Sequence, residues 1–147
     1  IYLTNYIIKN FNQENRTINI LDIGTGFGVS SLCFASVSKN IEVVSIEGCP
    51  NITSFTRKYQ KENSEIPNLP NIIHGNFEES FLILKSKFDI VFIDGDNIPE
   101  KLEEYFHFIC ENLLSDNGII IIRNIHGDIK GKDKKITPSL FILTISD

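Results

Sequence analysis

The residues best placed to do chemistry form one short run, Asp22-Ile23-Gly24-Thr25-Gly26-Phe27-Gly28. It follows an apolar stretch, Ile18 to Ile23, and opens a helix-compatible one, Gly28 to Ser38. Glycines at a strand-to-helix turn adopt positive φ and let the backbone approach a ligand with no Cβ in the way. The start of the helix adds unpaired N–H groups. Nineteen residues beyond Gly28, just past a second apolar stretch, stands Glu47. A carboxylate there can accept both hydroxyls of a ribose. Glycines alone fit a tight turn without a ligand equally well; Asp22 before them and Glu47 after them favour an adenosine-type nucleoside over the strand ends.

Two cofactor classes use such a place. A dinucleotide turn wants G-x-G-x-x-G/A, and from Gly24 and Gly26 the third position is Val29, too bulky for close helix packing. Asp22 would repel a pyrophosphate and suits a cationic amino group. The pattern D-x-G-x-G-x-G therefore points to a ligand with an ammonium end and no phosphate. An NAD(P)-dependent Rossmann oxidoreductase is the alternative, and a non-catalytic cofactor-binding protein of the same fold is a third reading.

The elements that must position these residues alternate in period. Tyr2 to Phe11 has helical spacing. Strands are predicted at Ile18–Ile23, Ile41–Ile46, Asn71–His74, Phe88–Ile93, Ile119–Ile122 and Leu140–Ile145. Helices are predicted over Gly28–Ser38, from Pro50 to about Asn63, over Glu78–Lys85 and over Pro99–Leu114, the last with an apolar stripe Leu102, Tyr105, Phe106, Ile109, Leu113. Asp116-Asn117-Gly118 reads as a turn. This alternation specifies a parallel sheet with helices on both faces. The lysine-rich segment Gly127 to Lys135 reads as a solvated loop.

Composition bounds the rest. A chain of 147 residues with 41% hydrophobic residues supports one core and a single domain over 1–147, and 22% charged residues exclude a disordered chain. A net charge of −5 disfavours nucleic acid as a partner. Three cysteines (Cys33, Cys49, Cys110) without metal-like spacing indicate a reduced, cytoplasmic protein. No apolar run approaches a membrane span, and no signal-peptide pattern opens the chain. The chain contains no Met and begins at Ile1, so we expect an incomplete record of a longer chain.

Five segments carry a family resemblance. LDIGTGFG (Leu21 to Gly28) resembles the first motif of class I S-adenosylmethionine-dependent methyltransferases. SIEGCP (Ser45 to Pro50), HGNFEE (His74 to Glu79), FDIVFIDGDN (Phe88 to Asn97) and LLSDNGIIII (Leu113 to Ile122) resemble the family's segments at strands two to five. IEGCP and FIDG are most similar to small bacterial O-methyltransferase-like proteins. The resemblance implies a Rossmann-like three-layer α/β sandwich, mainly parallel, in order 3-2-1-4-5, with a further C-terminal strand. It implies S-adenosyl-L-methionine as cofactor, a small-molecule acceptor, no membrane, and leaves a homodimer open.

Roles follow position by position from that resemblance. Asp22 would face the methionine amino group. Gly24, Thr25, Gly26 and Gly28 would line the methionine and sulfonium region. Glu47 would hold the ribose, with Gly48 and Cys49 flanking the adenine. Asn76 would meet the exocyclic amine, Phe77 would form a wall, and Asp94 would close the pocket. Asp94 and Asp96 are the catalytic candidates, with His126 as another acceptor-side base. Metal-dependent members carry an Asp-Asn pair after strand five, where this chain has Arg123-Asn124, and a Lys where it has Asn97. A divalent metal site is therefore in doubt and no metal ligand is assigned. The family's strand-five-to-six helix and seventh strand are also not visible between Ile122 and the end.

Overall fold

A computed structural model describes residue 6 and residues 16–62, 65–66, 68–95, 99–123 and 141–144. Six strands form one sheet: β1 (Ile18–Ile23), β2 (Ile41–Glu47), β3 (Asn71–His74), β4 (Phe88–Ile93), β5 (Leu114–Ile122) and β6 (Phe141–Thr144). Their order is β3-β2-β1-β4-β5-β6. The first five are parallel, and β6 pairs antiparallel to β5 from Ile119↔Thr144 to Ile122↔Phe141. The order 3-2-1-4-5 is that expected from the resemblance, with the additional strand at the far edge. β1 and β4 lie adjacent, so the chain reverses direction across the sheet between them, which opens a crevice at their C-terminal ends.

Among the described residues four α-helices connect the strands: α1 (Val29–Ala35), α2 (Pro50–Glu62), α3 (Phe77–Ile83) and α4 (Pro99–Phe108). Two apolar layers sandwich the sheet. On one side Leu21, Ile23, Val91, Ile93 and Ile120 meet Phe81, Leu102, Tyr105 and Ile109; on the other, Ile18, Ile20, Ile90, Phe92 and Ile121 meet Phe34 and Ala35. Residues of one strand alternate between these layers because successive side chains point to opposite faces. Every residue of β4 is buried, which is why FDIVFI reads as a continuous apolar run interrupted once, at Asp89.

The sequence reading differs from the structure at element ends. α1 is shorter than the predicted span, starting after Gly28 and capped at Ser36. α3 starts one residue earlier, because Asn76 caps it through its side chain, and ends at Ile83. The helix predicted to Leu114 is α-helical only to Phe108; Ile109–Leu113 form a π turn, and Leu114 pairs with Phe88 as the first residue of β5. The predicted turn at Asp116-Asn117-Gly118 is a bulge within β5: the register jumps from Phe88↔Leu114 to Ile90↔Ile119, and Asn117 takes φ 61°. The predicted N-terminal helix lies outside the described residues except for Tyr6, which is helical and packs on the Ile18 layer. The Lys-rich segment 127–135 lies outside them too.

Asp89 anchors this bulge. It accepts from Arg16 Nη1 at 2.9 Å and from the backbone N–H of Asn19 at 3.0 Å, and Ser115 Oγ lies 3.0 Å from its Oδ1. One buried carboxylate thus joins β1, β4 and β5 at the end opposite the glycine turn. A buried charge with its hydrogen bonds made is tolerated, whereas its loss strands the donors. Asp89→Ala should therefore lower unfolding stability by about 2–4 kcal/mol, read from chemical denaturation.

Candidate functional site

The glycine turn sits where β1, β2 and β4 end side by side. Gly24, Gly26 and Gly28 all have positive φ. At Gly24 the reason is close approach: a Cβ there would lie 2.5 Å from Gly95 Cα and 2.8 Å from Asp94 O. Gly95 is constrained in turn, since its Cβ would lie 2.7 Å from the Phe77 ring. The loops after β1 and β4 and the start of α3 therefore touch without side chains between them. Gly28 packs against the Thr56 methyl of α2, and Thr56 Oγ1 reaches Gly26 O at 3.2 Å.

Glu47 ends β2 facing this turn. Its Oε2 accepts from Gly26 N–H at 2.9 Å and its Oε1 from Cys49 N–H at 2.8 Å. A carboxylate has about four lone-pair positions, so each oxygen keeps one for a ligand. Two backbone donors hold the group in one orientation beforehand, which lowers the ordering cost of binding a diol.

Asp22 lies beneath the turn, fully buried. Ser30 Oγ donates to its Oδ2 at 2.7 Å, while Oδ1 is buried with no hydrogen-bond partner. Burial is the largest cause pushing its carboxyl up to about 6, and the negative charges of Asp94 and Glu47 add to it. An orphaned carboxylate oxygen below a glycine cradle, with two other carboxylates nearby, is an electrostatic socket for a cation.

A cavity of about 290 Å³ opens beside these groups, lined by Gly24, Glu47, Gly48, Asn76, Phe77, Glu78, Lys101 and Tyr105. Five of the site residues expected from the sequence thus share one wall: Gly24, Glu47, Gly48, Asn76 and Phe77. Phe77 stacks edge-on to Tyr105, ring centroids 5.6 Å apart, and joins the core on its other side. Thr25 is buried and bonded to Ser31 Oγ at 2.9 Å, so it stiffens the turn. Cys49 is half-buried and contributes its backbone N–H to Glu47. Asp96 and His126 lie outside the described residues.

Asp94 stands at the end of β4 with its Oδ2 3.0 Å from Arg123 Nη1, the residue that follows β5. After β5, where the resemblance would put a metal-binding carboxylate, this chain has a guanidinium bonded to the Asp94 carboxylate. Among the described residues no three His, Cys, Asp or Glu side chains come together as a metal group.

Sequence reasoning missed four of the groups just described. Ser30 and Thr56 reach Asp22 and Gly26 only after α1 and α2 fold back on the sheet. Lys101 and Tyr105 share one face of α4 at i, i+4 spacing, but nothing in the sequence ties that face to Glu78 or to the cavity.

Known proteins share this chain's sequence pattern and fold. A family model described as a methyltransferase domain matches residues 21–125. The chain is 30% identical over 112 residues to the release factor glutamine methyltransferase of Buchnera aphidicola subsp. Acyrthosiphon pisum (strain APS), covering 72% of this chain and 39% of that protein. It resembles the O-methyltransferase from Bacillus cereus in complex with SAH at 23% identity and TM-score 0.70, covering 84% of this chain and 54% of that one. It also resembles the SAH-bound methyltransferase PaMTH1 of Podospora anserina at 28% identity and TM-score 0.64, covering 71% and 44%. The chain spans 39% of that curated relative and about half of these solved structures. The matched span holds the second half of β1, β2 to β5, the glycine turn, Glu47 and Asp94, and the chain belongs to the methyltransferase-domain family.

Proposed function

We propose that this chain binds S-adenosylmethionine and transfers its methyl group to a small-molecule acceptor, at an oxygen. One observation carries the reading: the Glu47 carboxylate, fixed by Gly26 and Cys49 N–H, faces a cavity beside a turn whose buried Asp22 has an unpartnered oxygen. The cofactor would supply an activated methyl on a sulfonium. The chain's residues then bind and align. Glu47 accepts the ribose hydroxyls, Gly24 and Gly26 let the ligand lie against backbone, Phe77 and Gly48 bound the base, and Asp22 sets a negative field for the ammonium end. Alignment with the acceptor supplies most of what such a transfer needs from a protein. Asp94 and Asp96 are our candidates for the acceptor side, with Arg123 holding Asp94 in place. The oxygen acceptor rests on the resemblance of Ile46–Pro50 and Phe92–Gly95 to small O-methyltransferase-like proteins. No helix among the described residues is long and apolar enough to cross a membrane. The three free cysteines and the resemblance to small bacterial proteins support a place in the bacterial cytoplasm.

Calorimetry should show saturable binding of S-adenosylhomocysteine; no binding at millimolar ligand, or saturable NADH binding in its place, would overturn the reading. Glu47→Ala should weaken that binding by about tenfold to a hundredfold, since hydrogen bonds to a charged group are lost.

The raised Asp22 carboxyl gives a pH signature. Below about 6 the free protein holds this group protonated, and a cationic ligand needs it ionised. Affinity for S-adenosylhomocysteine should therefore fall by about tenfold per pH unit below 6 and level off between about 6 and 7.5. The free protein behaves oppositely. Its folded-state carboxyl lies above the unfolded value, so this group's contribution to stability declines as pH rises from about 4 to 6. Asp22→Asn should flatten both profiles.

Because Arg123 takes the Asp94 oxygen, ligand binding and turnover should be unchanged by EDTA; a loss restored by Mg²⁺ would refute this assignment.

A further inference from the structure

One row of side chains crosses the sheet beneath the glycine turn. Register sets Phe92, Asp22, Ser45 and Ile72 side by side on β4, β1, β2 and β3. Register partners on neighbouring parallel strands point to the same face, and such strands lie about 4.8 Å apart. Ile20 and Val43, two positions earlier on their strands, belong to the layer that packs on α1, so Asp22 and Ser45 share that face. The outer members of the row are apolar. The inner two are polar and fully buried.

Both inner residues keep an unspent atom: Asp22 Oδ1 and Ser45 Oγ are buried without a hydrogen-bond partner. Phe92 and Ile72 offer no hydrogen-bonding side-chain atom, so along this row each polar side chain has only the other. A buried hydroxyl that stays unpaired is costly, and alanine would avoid that cost. The rest of Asp22's surroundings supply little. Ser30 donates to Oδ2 at 2.7 Å, and the Ser30 and Thr25 hydroxyls oppose the burial that raises the carboxyl. The charges that act on it, Asp94 after β4 and Glu47 at the end of β2, are both negative. α1 has no charged residue, and Arg57, Lys58, Lys61 and Glu62 of α2 are exposed.

We propose that Ser45 is a positioning residue for Asp22, its hydroxyl donating to Oδ1 of the carboxylate and holding it ready for the cationic end of the ligand. This deepens the proposed function and rests on it. A hydroxyl both donates and accepts, so Ser45 also accepts from Oδ1–H when the acid is protonated. The pair exchanges roles with protonation and adds no charge to the interior. The bond to the anion is the stronger of the two, so Ser45 favours the ionised form.

The experiment follows the Asp22 carboxyl carbon by NMR in the free protein, and S-adenosylhomocysteine affinity by calorimetry, both against pH. Ser45→Ala should raise the Asp22 midpoint by about one pH unit. Its affinity should then fall about fivefold at pH 6 and match wild type at pH 8, where the carboxyl is ionised in both, a recovery that a fold defect would not allow. Ser45→Thr, which keeps the hydroxyl, should hold the wild-type midpoint. In an Asp22→Asn background, Ser45→Ala should change the affinity at neither pH. A serine that only fills space predicts an unmoved midpoint in Ser45→Ala, and that result would overturn this inference alone and leave the proposed function standing. Absence of S-adenosylhomocysteine binding by wild type would overturn the proposed function and the role of Ser45 toward its ligand; the midpoint of the free protein tells the two failures apart.

Discussion

The site depends on one steric constraint, the contact of Gly24 with the backbone of Gly95. Two adjacent parallel strands, β1 and β4, end in loops that approach until a single methyl group would bring carbon atoms to 2.5 Å. That approach closes the floor of the crevice between them. It also seats Phe77, whose ring touches Gly95, and Phe77 in turn packs on Tyr105. A side chain at Gly24 would have to move backbone rather than another side chain, because the atoms nearest to it belong to the main chain of Asp94 and Gly95. The cavity wall and the edge of α3 inherit their positions from this contact.

On that steric frame sits an uneven charge distribution. Asp22, Glu47 and Asp94 come from the ends of three neighbouring strands, and each is handled differently. Glu47 receives two backbone N–H groups, Asp94 receives a guanidinium, and Asp22 receives the Ser30 hydroxyl while fully buried. Desolvation therefore raises the Asp22 carboxyl. A protein tolerates such an unfavourable buried group where a ligand completes it. The far end of the sheet shows the contrast: Asp89 is also enclosed but has its hydrogen bonds made, and it serves the fold.

Much of this is legible in the residues alone. The strand cores of FDIVFI and IIII, the glycine spacing, and the distance from Gly28 to Glu47 follow local rules, since period and turn chemistry act over a few residues. Element ends are less legible. Leu114 ends the predicted helix, yet it pairs with Phe88 in β5, and Asp116-Asn117-Gly118 lies in a bulge of that strand. Asn76 sits in a motif that suggests base recognition, but its oxygen caps α3.

By itself the sequence determined the alternation of strands and helices and the presence of a glycine turn with an acid on each side. These depend on side-chain period, glycine stereochemistry and short spacings, all properties of contiguous residues. Tertiary structure decided which carboxylates are compensated and which are not. It set Arg123 against Asp94 across two strand ends, twenty-nine residues apart, and brought Lys101 and Tyr105 to Glu78 across twenty-three and twenty-seven. Hydrogen bonds and desolvation depend on distance in space, and only the closed sheet with both helical layers in place defines those distances.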